Sequence, residues 1–239
     1  MRIKQIRAVG LAAILVALSV VAPRLPPRWH PVPHAIVGAA LAALTRAPVG
    51  LRHPGAGVRI GLAAAVPVAL GVAAATASPR VREAMAHRDL PDGVLRWLLL
   101  GIPVGTVWSE EAAYRGALGT VAADAFGPAG GRLVQAAAFG LSHIAGAARP
   151  ATSDPGAARP ATSDPGAARP ATSNPDARST GEPVVPTVLV TGLAGWVFGW
   201  LYERSGSLIA PMLVHLAVNE AGALAALAVQ NTRTRAISL

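Results

Sequence analysis

The chain has 239 residues, of which 52% are hydrophobic and 14% charged, and its formal net charge is +9. Soluble domains carry about a quarter charged residues, so most of this surface is expected to meet something other than water. Cysteine is absent, which excludes a disulfide framework, a thiolate metal site and a cysteine nucleophile; any catalysis falls to Ser, His, Asp, Glu or Asn.

All the basic residues except Lys4 are arginines, and most lie at the edges of apolar runs or between them, as do Arg24, Arg28, Arg46, Arg52, Arg59, Arg80, Arg82 and Arg88. That placement suits lipid headgroups. A basic stripe interleaved with aromatics is missing, so no nucleic-acid partner is expected.

Residues 8–22 are apolar and follow Arg2, Lys4 and Arg7. A signal peptide has the same outline, but further apolar runs follow instead of a cleavage site and a soluble domain, and a retained membrane helix is expected. Residues 34–44 are apolar yet short of the roughly 20 that a spanning helix needs. Residues 58–77 make a fuller span with Pro67 inside it, a kink that a bundle tolerates. Residues 78–93 read as a charged, turn-rich linker with room for a short interfacial helix.

From Val94 to Phe126 the chain is almost continuously apolar, interrupted by Gly101, Pro103 and Gly105 and then by Ser109-Glu110-Glu111. The stretch is too long for one straight span. A helix ending near Leu100 and another starting near Pro103, with proline in its first turn, are expected. Residues 127–131 read as a turn, and residues 132–148 as a helix carrying Phe139 and His143. Three copies of the decapeptide GAARPATSDP then begin at Gly146, Gly156 and Gly166, the last with Asn174 in place of Asp. With only alanine to bury, the repeats read as a disordered loop. Residues 184–201 and 208–229 are two more spans.

The expected fold is therefore all-α, a polytopic transmembrane helix bundle of about 6–8 segments. Residues 1–90 supply N-terminal membrane segments and residues 91–239 a core interrupted by a disordered repeat loop over 146–182. Arginine counts on the two sides are too close to fix the orientation.

Within the apolar segments stand Glu110, Glu111, Arg115, His143, His215, Asn219 and Glu220. Each costs about 2.5–3.5 kcal/mol or more at a helix centre, so a functional role is the default reading. Glu111 lies one turn before Arg115, a favourable spacing for an ion pair. Glu110 is then left beside a like charge, a setting for a general base; the bland alternative is a pair of headgroup-level acids at a helix end. His143 follows Phe139 by one turn, and His215 and Asn219 are themselves one turn apart. Glu220 fits no pattern and has Arg204 or Arg115 as candidate partners.

In their order on successive apolar segments, Glu110-Glu111-x-x-x-Arg115, Phe139-x-x-x-His143 and His215-x-x-x-Asn219 resemble the motifs of the CPBP family of intramembrane proteases. That family takes in CAAX prenyl endopeptidases and bacterial proteins linked to bacteriocin processing and immunity. The resemblance covers roughly residues 94–229 and implies an intramembrane endopeptidase. Glu110 would activate water, Glu111 held by Arg115 would support it, His143 would position the water, and His215 with Asn219 would stabilise the oxyanion. Glu110, His143 and His215 also make a plausible zinc set, so a metal route and a metal-free glutamate route both stay open. The partners implied are the lipid bilayer and a membrane-associated peptide or protein substrate. The Ala-, Arg- and Gly-rich composition suggests a multi-pass protein of a bacterial cell membrane. The alternatives are a non-catalytic scaffold or immunity protein of the same fold, and a proton-coupled transporter.

Overall fold

Backbone polar groups in a bilayer must be satisfied within the chain, and a helix does this segment by segment. The computed structural model, which describes residues 2–21, 31–50, 54–147 and 184–237, is accordingly helical, and no strand occurs among the described residues. In chain order the elements are α1 (Arg2–Val21), α2 (Val32–Leu44), α3 (Pro54–Ala75), α4 (Pro79–Ala86) and α5 (Val94–Arg96). Two π-wound stretches follow, π1 (Trp97–Trp108) and π2 (Glu111–Leu118), and then α6 (Gly119–Ser142), α7 (Ile144–Ala147), α8 (Val184–Ser205) and α9 (Ile209–Ile237).

Four helices are long and apolar enough to cross a membrane: Arg2–Val21, Pro54–Ala75, Val184–Ser205 and Ile209–Arg235. They coincide with four expected spans. Outward-facing Ile14, Leu62, Leu70, Leu189 and Leu193 are exposed, a surface that lipid covers and water would not tolerate. The protein is an integral membrane helix bundle. α2 is shorter than a span, as its sequence indicates, and α4 supplies the short helix of the charged linker.

α3 lies along α9, α6 packs on both α8 and α1, and π2 sits between α2 and α6. One buried cluster joins Ala8 and Leu15 of α1 to Tyr114, Leu118, Ala122 and Phe139. A second joins Ala65 of α3, Phe198 and Leu201 of α8, and Ala210 and Val214 of α9. α1 thus contributes to the core, in line with a packed membrane helix.

Two expectations fail between residues 94 and 142. The chain does not break between Leu100 and Pro103 but runs helically through both, with Pro103 inside π1. Proline clashes with the carbonyl four residues back in an α-helix; winding that bonds five residues back opens this turn, so the helix passes the ring without ending. Ser109 Oγ follows the same spacing, donating to the Val104 carbonyl at 2.9 Å. The turn over 127–131 shrinks to one residue: Gly127 takes φ 76° and ψ 168° inside α6 and Pro128 restarts the helix. Glycine adopts that conformation without a Cβ penalty. Of the repeat loop expected over 146–182, residues 148–182 lie outside the described residues, and residues 146 and 147 are not loop but the end of helix α7.

α6 and α8 meet at backbone distance. A Cβ added at Gly140 would stand 2.6 Å from the Val188 carbonyl oxygen and 3.1 Å from Gly192 Cα. Gly140→Ala is expected to push the two helices apart at a cost of about 1–3 kcal/mol. A lowered thermal midpoint of the detergent-purified variant checks this, and an unchanged midpoint would contradict the close approach.

Candidate active site

Ser109 and Glu110 join π1 to π2, so the twin carboxylates sit between the two wide-wound stretches. Adjacent helical residues point in different directions, and the structure separates the two accordingly. Glu111 turns inward with 0% of its side chain exposed, and Glu110 keeps 25%.

Glu111 is bound through both oxygens. Oε2 lies 3.3 Å from Arg115 Nε, the expected one-turn ion pair, and Oε1 lies 2.9 Å from His215 Nδ1 on α9. The second contact crosses from one apolar segment to another 104 positions away. It leaves His215 Nε2 facing Glu110, 3.8 Å from Oε2. The imidazole therefore stands between the two carboxylates.

Two phenylalanines wall this group. The Arg115 guanidinium carbon sits 4.0 Å from the Phe139 ring centroid and 5.0 Å from that of Phe198. Phe198 also stacks on His215 at 5.2 Å, with Phe139 edge-on to the same imidazole at 6.2 Å. Arg115 Nε, Nη1 and Nη2 have no hydrogen-bond partner among the described residues, so the ring faces and the ion pair with Glu111 carry this buried cation.

His143 is not deep in its helix but caps the end of α6, because the backbone turns off after Ser142. Its Nδ1 lies 2.7 Å from the Phe139 carbonyl oxygen. An N–H there donates to that carbonyl, so in the neutral ring the lone pair is on Nε2. Phe139 packs against the ring at 4.8 Å, joining His143 to the aromatic wall that His215 also meets. Asn219, 3% exposed and one turn beyond His215, has an Nδ2 without a hydrogen-bond partner among the described residues. Glu220 forms an ion pair with neither Arg115 nor Arg204 among the described residues.

Among the described residues no group of three or more His, Cys, Asp or Glu side chains is arranged to hold an ion. His215 Nδ1 and His143 Nδ1 engage Glu111 and the Phe139 carbonyl, so Nε2 is the ring nitrogen each has left for a water or an ion.

Three contributors lie outside the seven residues that the sequence singles out. Phe198 is apolar, and only its place on α8 reveals it. Tyr114, 5% exposed, packs edge-on to Phe139 at 5.2 Å. Gln135, 1% exposed, donates from Nε2 to the carbonyls of Arg132, 3.0 Å away, and Gly195, 2.9 Å away, tying α6 to α8 beside the Phe139 wall. As a buried amide in an apolar helix, Gln135 carried a legible signal.

Arg115→Lys keeps the charge but loses the plane that lies between the two rings. It is expected to lower stability by about 1–2 kcal/mol, the scale of a desolvated cation–π contact. Arg115→Ala leaves Glu111 buried without its cation and is expected to cost about 3–5 kcal/mol. Thermal unfolding of the detergent-solubilised variants checks both magnitudes and their order.

The family profile described as "Type II CAAX prenyl endopeptidase Rce1-like" matches residues 92–221, slightly over half of the chain. The match takes in both carboxylates, Arg115, both imidazoles and Asn219, and ends just past the last of them. No curated protein and no solved structure matches the chain. The chain belongs to the Rce1-like family of type II CAAX prenyl endopeptidases, and is a membrane-embedded member of that peptidase family.

Proposed function

We propose that this protein is an intramembrane endopeptidase that hydrolyses a peptide bond of a membrane-associated protein or peptide, using water activated by Glu110 and oriented by His143. The observation that carries the proposal is the unequal fate of the twin carboxylates. Glu111 is buried and held by Arg115 and His215, whereas Glu110 stays partly exposed beside the same imidazole.

In the proposed reaction Glu110 takes a proton from water as the oxygen bonds to the substrate carbonyl carbon. His143 Nε2 accepts the water's second hydrogen bond and fixes its direction of attack. The carbonyl oxygen becomes an oxyanion, for which Asn219 Nδ2 supplies an N–H. His215 adds a donor at Nε2 when its ring carries both protons, with Nδ1 on Glu111. Collapse of the tetrahedral intermediate breaks the C–N bond, and Glu110 returns its proton to the leaving amine. The new carboxyl group keeps the water oxygen.

The proposal takes the metal-free route; Glu110, His143 and His215 are the residues that would hold a zinc ion in the alternative. The composition supports a bacterial cell membrane as the setting.

Cleavage of a quenched fluorescent peptide panel, with and without a prenyl group, tests the reading on purified protein in detergent. Glu110→Gln and His143→Ala are each expected to lower kcat by about 10²–10⁴-fold while the thermal midpoint stays near wild type. Asn219→Ala is expected to lower kcat by about 10²–10³-fold with little change in KM. Activity that survives Glu110→Gln would overturn the assignment of the base, and wild type that cleaves no peptide of the panel would favour a non-catalytic member of the fold. Activity lost to a chelator and restored by zinc would overturn the metal-free route.

A further inference from the structure

The peptidase proposal makes no use of the polar groove at the other end of α9. This groove, about 350 Å³ in volume, is lined by His87, Arg88 and Asp89 after α4 and by Gln230, Arg233 and Thr234 of α9. Gln230 builds it: Nε2 donates to the Met85 carbonyl at 3.0 Å and to the Arg88 carbonyl at 2.8 Å. The end of α4 is thereby stapled to α9. His87 is held by Glu83, whose carboxylate lies 3.3 Å from Nδ1. Two guanidiniums and an imidazole thus face one lining carboxylate, Asp89, and Arg233 forms no ion pair among the described residues.

The position of the groove decides what such a site takes. α9 is apolar as far as Val229 and turns polar at Gln230, while α4, with Arg80, Arg82 and Glu83, follows directly on the spanning helix α3. The groove is therefore at the membrane–water boundary. A cationic pocket at this boundary matches a phospholipid, with phosphate against the guanidiniums and acyl chains in the bilayer. Free phosphate would use only the pocket.

We propose that the α4–α9 groove is a binding site for the headgroup of an anionic phospholipid. Basic pockets at helix ends hold such headgroups, each arginine contributing about 1 kcal/mol, or roughly fivefold.

The full chain is purified in mild detergent and titrated with phosphatidylglycerol, with phosphatidylcholine of the same acyl chains, and with inorganic phosphate as competitor. Bound lipid is read by native mass spectrometry. Wild type is expected to retain phosphatidylglycerol over phosphatidylcholine, and Arg233→Gln to need about fivefold more lipid for equal occupancy. Arg80→Gln, an equal loss of charge on α4 outside the groove, is expected to behave as wild type. Equal retention by Arg233→Gln and wild type, or equal retention of the two lipids, would overturn the site. Displacement by inorganic phosphate at matched concentration would overturn the lipid assignment. If Arg233→Gln does not yield folded protein, Arg88→Gln on the opposite wall carries the same comparison.

Discussion

A carboxylate without water must have its charge matched where it stands, and Glu111 is matched from two directions. Arg115 comes from its own helical run and His215 from α9, and neither Glu111 nor Arg115 is accessible to solvent. Burying ions costs several kcal/mol each; Glu111 Oε2 and Arg115 meet as an ion pair without a hydrogen bond among the described residues, so the 2.9 Å bond to His215 is the directional contact. The Glu111–His215 contact therefore fixes α9 against π2 in translation and in rotation. Phe139 and Phe198 close the remaining faces of the guanidinium, which draws α6 and α8 into the same register.

With α9 fixed at His215, the rest of that helix has little freedom. Its N-terminal part packs Ala210 and Val214 against Ala65 of α3 and Phe198 of α8. Its C-terminal part ends on the Gln230 staple to α4. α3 and α9 run side by side, so the groove beyond α3 and the twin-carboxylate site share one rod. Small residues at the α6–α8 contact serve the same end, since without a hydrophobic drive between helices in lipid, close packing supplies the association.

The spans were legible because hydropathy over some twenty residues is enough to define them, and four long apolar helices fall where the sequence puts them. The middle of the chain was not, because Pro103 and the glycines beside it carry the signals that end a helix in water. Whether such signals end a helix or widen it depends on neighbours that close around it, here α2 and α9. At the site, the one-turn pairing of Glu111 with Arg115 follows from spacing alone. The Glu111–His215 bond does not, since it joins distant segments and depends on how α9 is rotated. The same limit applies to Glu110, His143 and His215 as a zinc set, because spacing on separate helices says nothing of distances between them. Phe198 was hidden for another reason: an apolar residue in an apolar helix carries no signal.

Adjacency explains why the chain needs two glutamates where the proposed chemistry uses one. A lone carboxylate held as Glu111 is held would be rigid but enclosed; one placed as Glu110 is, without an anchored neighbour, would have its helix free to rotate. Side by side, the anchored residue sets the orientation of the backbone and the other inherits it while staying partly exposed. The two positions therefore differ in kind. Removing the charge at Glu111 releases Arg115 and His215 together and acts through the fold, whereas removing it at Glu110 leaves the contacts of Glu111 with Arg115 and His215 in place. His215 meets both: it is bonded to Glu111 at 2.9 Å and stands 3.8 Å from Glu110. The site's geometry and its chemistry are thus coupled through one imidazole.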